Sequence, residues 1–178
     1  MAKPSSLNPN QRIYVAVGAY VVLCQELEHL LKHLIAMTNA DDPSITGILK
    51  RHAAQEKHSL GMTAGAFVKV SQGETEGLRE HLRQIVTERN DIVHKLGEHY
   101  GSLIAEGKHE EVLAQLKDKF ERALNFTKML RGAALAILEA FRDGPFRNTD
   151  EYSQMAGLCE SYRAIIERAD AEMVDPAI

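Results

Sequence analysis

The chain lacks most of the features that assign chemistry directly. It has only two cysteines, Cys24 and Cys159, in 178 residues. Each sits in an apolar helical pattern, so they form neither a disulfide framework nor a CxxC metal site and are expected as small core side chains of a reduced, cytoplasmic protein. There is no basic excess: 21 Lys and Arg stand against 25 Asp and Glu, a formal net charge of −4. That argues against tight, sequence-independent binding to long nucleic acid and leaves room for a local positive cleft. The opening Met-Ala-Lys-Pro-Ser-Ser has no apolar signal region, and the most apolar run, Val15 to Leu23, is short of a membrane span, so no membrane association is expected. Strand-like alternation, internal repeats, low-complexity tracts, a P-loop, GxGxxG and a Ser-His-Asp pattern are all missing.

What remains is helical periodicity. An apolar fraction of 44% supports an ordinary packed core, and the length is that of one domain, residues 1–178, with flexible ends at 1–8 and 174–178. Asn8 followed by Pro9 marks a helix start, and Ile13, Val17, Tyr20, Cys24, Leu27, Leu31 and Leu34 carry that helix to Met37. Its half from Val15 to Leu23 is apolar nearly all round, which predicts burial on two sides, one against its own bundle and one against a second subunit. Asn39 to Pro43 is a turn. Ser44 caps a short helix through Ala54, and a second short helix spans Glu56 to Val70, with Gly61 and Gly65 four apart to permit close helix approach. After a break at Ser71-Gln72-Gly73 a helix runs from Glu74 to Gly97. His99-Tyr100-Gly101 then belongs to a loop or cleft rim. A long helix follows from Glu110 to Arg142, stopped by Asp143-Gly144-Pro145, and a last one begins at Thr149 to Tyr152 and ends near Met173. The expected architecture is an all-α, up-and-down bundle of four to six helices with two long antiparallel members.

The stretch Glu88-Arg89-Asn90-Asp91-Ile92-Val93-His94 departs from plain packing. Leu78, Leu82, Ile85, Ile92 and Leu96 form one apolar stripe, and Arg89 falls in the middle of it. A guanidinium keeps its charge, so on a buried side it must be paired or face a polar cleft. Asn90 and His94, spaced i, i+4, share the other side.

Arg89-Asn90-x-x-x-His94, late in a helix of an all-helical chain, resembles the signature of HEPN domains, small helical bundles of which many are metal-independent endoribonucleases. The resemblance implies Arg89, Asn90 and His94 as the catalytic set, RNA as substrate, no cofactor and no metal, and a homodimer whose cleft draws on both subunits. It also implies a place as a toxin or phage-defence protein with an antitoxin or defence-system partner. The family's nucleotidyltransferase-paired toxins carry a Tyr two residues after the His. Here that position is Leu96, which argues against regulation by modification there.

The chemistry fits the residue types. His94 can take the proton of a 2′-OH or deliver one to the leaving 5′-oxygen, leaving a 2′,3′-cyclic phosphate and a 5′-hydroxyl. Arg89 can hold the phosphate through two N–H groups, and Asn90 can orient the imidazole or bond a phosphate oxygen. On a regular helix Arg89 and His94 lie about 140° apart, so a composite dimer site answers a geometric need. The competing readings are an Arg89–Glu88 ion pair with a surface His94, and a non-catalytic RNA- or protein-binding bundle. Glu26-x-x-His29 and Glu106-x-x-His109 form a di-iron-like pattern without the accompanying glutamates, and His29 and His33 are better explained as surface or interface residues than as zinc ligands. His52, His58 and His81 are expected in solvent or at a cleft rim.

Overall fold

The computed structural model describes residues 7–38, 42, 44–71 and 75–172. Most of both expected flexible ends, the Asn39 to Pro43 turn apart from Asp42, and the Gln72-Gly73 break lie outside them. The described residues form six helices and no strands: α1 Pro9–Thr38, α2 Ile45–Ala54, α3 Leu60–Val70, α4 Glu76–Ala105, α5 His109–Asp143 and α6 Tyr152–Glu172. The all-α bundle follows from the periodicity.

The helix starts are chemically specified. Asn8, expected among the flexible lead residues, is held in place. Its Oδ1 accepts from Gln11 N–H at 2.9 Å, and its own N–H donates to Gln11 Oε1 at 2.9 Å. This reciprocal capping box satisfies two backbone donors at once. Ser44 caps α2 by accepting from Gly47 N–H at 3.0 Å. α3 begins at Leu60, not Glu56, because residues 55–57 form a turn after α2.

α1 is the hub, in contact with α2, α3, α4 and α5. Its buried side supplies Ile13, Ala16, Tyr20, Leu23, Cys24, Leu27, Leu31 and Leu34 to the core. Arg12 meets Glu110 near the start of α5, and Glu26 pairs with Arg131 further along, so α1 and α5 run in the same direction. α4 runs against both: His81 stacks on Phe126, Glu88 faces Arg122, and the Tyr20 hydroxyl lies 3.5 Å from the Ile85 carbonyl. The two long helices expected to be antiparallel, α1 and α5, are thus parallel, and the antiparallel neighbours are α4 with α5 and α4 with α1. α6 packs back on α5, with Arg163 paired to Glu139. Both cysteines are free and buried, as core residues.

One expectation for α1 changes. By length and composition alone it is apolar enough to cross a membrane, although the run from Val15 to Leu23 is short. The physical reason is that a central helix covered by several neighbours is apolar over most of its circumference. On the other side of the helix Tyr14, Val15 and Val22 are 68%, 52% and 64% exposed, an open apolar side opposite the core residues.

Candidate functional site

The motif helix does not stop at Gly97. Lys95 leaves helical geometry (φ −132°, ψ 23°), a kink one residue after His94, and the helix then resumes to Ala105. Its true end is at Gly107, which takes φ +75°. There Lys108 N–H donates to Leu103 O at 2.8 Å and Gly107 N–H to Ile104 O at 3.0 Å, the paired closing bonds of a glycine-terminated helix. Tyr100 consequently lies in the core and not in a loop or at a rim. His99 is exposed on the same helix, with Nε2 3.5 Å from Asp91 Oδ1.

The motif side chains divide. Arg89 is half-buried, and its Nη1 donates to Asn90 Oδ1 at 3.1 Å. Asn90 and His94 are exposed. The guanidinium thus reaches around the helix toward the side shared by Asn90 and His94. No hydrogen bond joins His94 to either, and its imidazole is free among the described residues. One chain brings Arg89 and Asn90 together and leaves His94 separate on the neighbouring turn.

The buried ion of this helix is Glu88, which the apolar stripe did not single out. It is 8% exposed. Its Oε1 accepts from Gln84 Nε2 at 3.1 Å and lies 3.5 Å from Arg122 Nη2 and 3.9 Å from Lys119 Nζ on α5. Glu88 Oε2 and Arg122 Nε are buried without partners among the described residues. The expected alternative of an Arg89–Glu88 pair is replaced by two separate contacts: Glu88 to α5, Arg89 to Asn90. Ile85, Glu88 and Ile92 are spaced i, i+3, i+7 on one side, but Ile85, Arg89 and Ile92 at i, i+4, i+7 share it equally, so spacing does not single out Glu88.

Behind this cluster lie Tyr20 and Cys24 of α1. Burial raises the Tyr20 hydroxyl above its ordinary range, with Cys24 and Glu88 adding to it. Burial also pushes the Cys24 thiol up to about 11, against the lowering effects of a Tyr20 hydrogen bond and the Arg89 charge. Burial raises Tyr100 as well, helped by the Glu88 and Asp91 charges. The inner side of the site is therefore neutral apart from the Glu88–Arg122–Lys119 group.

Upstream on α4, Arg79, Arg83 and Thr87 line a groove of about 470 Å³ against α3, which contributes Gly61, Gly65 and Lys69. A Cβ at Gly61 would stand 3.5 Å from Val86 Cγ1, an ordinary van der Waals contact, and Gly65 has open space above it, so neither glycine is required by a close helix approach. Thr87, Asn90 and His94 follow one another at helical i, i+3, i+7 spacing, which carries the groove's wall toward the motif. Arg79 and Arg83 are themselves paired with Glu76 and Glu80.

The other histidines are more engaged than expected. His81 stacks on Phe126 at 5.2 Å, His58 bonds Gln55 at 2.7 Å, and His52 packs on His33 with ring centroids 4.3 Å apart. Glu26 is taken by Arg131, and His109 Nε2 lies 3.0 Å from Asn10 Oδ1. Among the described residues no group of three or more His, Cys, Asp or Glu side chains is placed to hold a metal ion.

No family model matches this chain, and no curated protein or solved structure matches it either. The chemistry of this side of α4 is read from its own side chains.

Proposed function

We propose that this protein is a metal-independent endoribonuclease of HEPN type, working as a homodimer in a toxin or phage-defence role. The observation that carries the reading is Arg89-Asn90-x-x-x-His94 on α4 of an all-helical bundle, with Arg89 bonded to Asn90 and His94 exposed and free.

An unbonded, solvent-facing imidazole can meet a 2′-OH without first breaking an internal contact. His94 then removes the 2′ proton, the 2′-oxygen attacks the adjacent phosphorus, and the P–O5′ bond breaks. The leaving 5′-oxygen takes a proton from water, so one His94 and one Arg89 drawn from different copies suffice. The Asn90 contact directs the Arg89 guanidinium toward the same side, where its remaining N–H groups can bind the phosphate and its growing charge. The separation of His94 from Arg89 within one chain supports a cleft shared between copies. The exposed Tyr14, Val15 and Val22 offer an apolar surface for that pairing. Lys69, Arg79 and Arg83 supply cations along the groove leading to the motif.

The alternative is a bundle that binds RNA or protein without cutting, favoured by the net charge of −4 and the carboxylate partners of Arg79 and Arg83. The test uses purified wild type, Arg89→Ala and His94→Ala on structured and unstructured RNAs. The proposed reading expects each variant alone to be inactive and a mixture, after subunit exchange, to regain part of the activity through a restored composite cleft. Both variants cutting like the wild type would sink the assignment of these residues. Inactive variants with no recovery on mixing, despite mixed dimers forming, would sink the shared cleft.

A further inference from the structure

The groove between α3 and α4 combines an aliphatic floor with charge of one sign. The floor is Ala64 and Val68 from α3 with Leu82 and Val86 from α4. The lining runs from Gly61 to Lys69 on one helix and from Arg79 to Thr87 on the other, a rise of about 12 Å along each. At about 30 Å³ per water-sized group, its volume of about 470 Å³ holds roughly fifteen non-hydrogen atoms, enough for three leucine side chains.

The fold does not need the two glycines of this groove. Neither is required for α3 to lie against α4, and each weakens the helix that carries it. Gly65 faces open space, and with Gly61 and Ala64 it keeps this side of α3 low enough for another backbone to approach. Lys69, Arg79 and Arg83 line the groove, and no carboxylate does. Gly61 and Val86 meet at one end, so Lys69 and Arg79 stand toward the other, where α3 hands over to α4. Glu76 and Glu80, the partners of the two arginines, lie outside the lining. Both are exposed i, i+3 pairs, of the kind that contributes little and is readily exchanged for another carboxylate. Lys69 is exposed and has no ion-pair partner among the described residues.

The cations can meet an RNA backbone at the rim, but no aromatic ring lines the groove to stack a base, so the floor is left to an aliphatic occupant. The exposed apolar side of α1 in a second copy is no match. Residues 1–25 contain no Asp or Glu, and Glu26 is taken by Arg131.

We infer that the groove takes an acidic amphipathic helix of a partner protein, its aliphatic side chains on the floor and its carboxylates on Lys69, Arg79 and Arg83. Aliphatic positions at i, i+3 and i+7 span about 10.5 Å, within the length of the groove. The inference stands apart from the nuclease reading, because it concerns binding and not cleavage.

The experiment is fluorescence anisotropy of the full chain with a short labelled helical peptide carrying leucines at i, i+3 and i+7 and glutamates beside them. Two controls replace its glutamates by lysines or its leucines by serines. The expected result is one saturable site per chain for the leucine–glutamate peptide, with affinity at least about tenfold weaker for each control and in Lys69→Glu and Gly65→Leu. Circular dichroism verifies that each variant is folded; a Cβ at Gly65 meets nothing within 4 Å, so that variant fills only the groove. Absence of saturable binding to folded wild type overturns the proposal. So does equal binding of the lysine peptide, or unchanged affinity in both variants. Uncleavable 2′-O-methyl oligouridylate is titrated alongside: its binding through Lys69 and Gly65, with none by the peptide, gives the groove to RNA and overturns the proposal as well.

Discussion

Replacing Glu88 by Gln tests the internal logic of the motif helix most sharply. The substitution keeps shape and volume and preserves an oxygen that can accept from Gln84. It removes only the charge that faces Arg122 at 3.5 Å and Lys119 at 3.9 Å. At an effective dielectric of about 20, one such contact is worth roughly 4 kcal/mol before desolvation is counted. The carboxylate is 8% exposed, so its own burial offsets much of that gain. The cations retain 34% and 25% side-chain exposure, so once unpaired they can turn to water. The net destabilisation should be about 1–2 kcal/mol, below the 3–5 typical of a fully buried pair. For a chain of this size that lowers the melting temperature by roughly 2–8 °C. Thermal and urea unfolding followed by circular dichroism measure it, and the urea slope should not change. A Glu88→Gln protein as stable as the wild type, or more stable, would refute the claim that this carboxylate ties α4 to α5.

Asn8→Ala should cost about 1 kcal/mol by removing the capping box at the start of α1, seen as a loss of roughly 2–4 °C in melting temperature. Gly107→Ala should cost about 1–2 kcal/mol because Gly107 alone among the described residues takes a positive φ; a Cβ there meets nothing within 4 Å, so the loss is purely conformational and Gly107→Asn should recover part of it. The raised Cys24 thiol gives a pH prediction. The unfolded thiol ionises near 9.0 while the folded one keeps its proton to about 11, so the native state holds the extra proton and stability falls as pH rises through that window. Tyr20 adds to the fall above pH 10, and the Cys159 thiol, also raised by burial, adds to it from pH 9, so the comparison is with Cys24→Ala, in which the decline between pH 9 and 10 should be shallower than in the wild type.

Helix existence was legible because the caps and periods agree. Asn8-Pro9 and Ser44 start helices where they stand, and α5 begins and ends within a residue of the apolar pattern. Gly97 misled because a glycine weakens a helix without ending it when both neighbouring turns are packed. Leu96 and Tyr100 bury side chains on either side of it, and that contact outweighs the local propensity. The stop came instead at the Gly107 backbone, where φ is positive. Period alone could not separate Glu88 from Arg89, since both fall in the gap between Ile85 and Ile92. The outcome depends on Arg122 and Lys119, more than thirty positions away in sequence. The parallel course of α1 and α5 was likewise hidden, because direction depends on how α2, α3 and α4 return the chain, not on the pattern of either helix. At the site, the residue types suited to RNA chemistry were visible; the Arg89–Asn90 contact and the α3–α4 groove needed coordinates.

The most direct test of the central claim is the chemistry of the ends. Wild-type protein is incubated with 5′-labelled RNA in excess EDTA, and the fragments are resolved before and after acid opening of cyclic phosphates and treatment with phosphatase. The account predicts cleavage undiminished by EDTA, with a 2′,3′-cyclic phosphate on one fragment and a 5′-hydroxyl on the other, and none from His94→Ala. Fragments with 3′-hydroxyl and 5′-phosphate ends, or cleavage that EDTA abolishes, would contradict it.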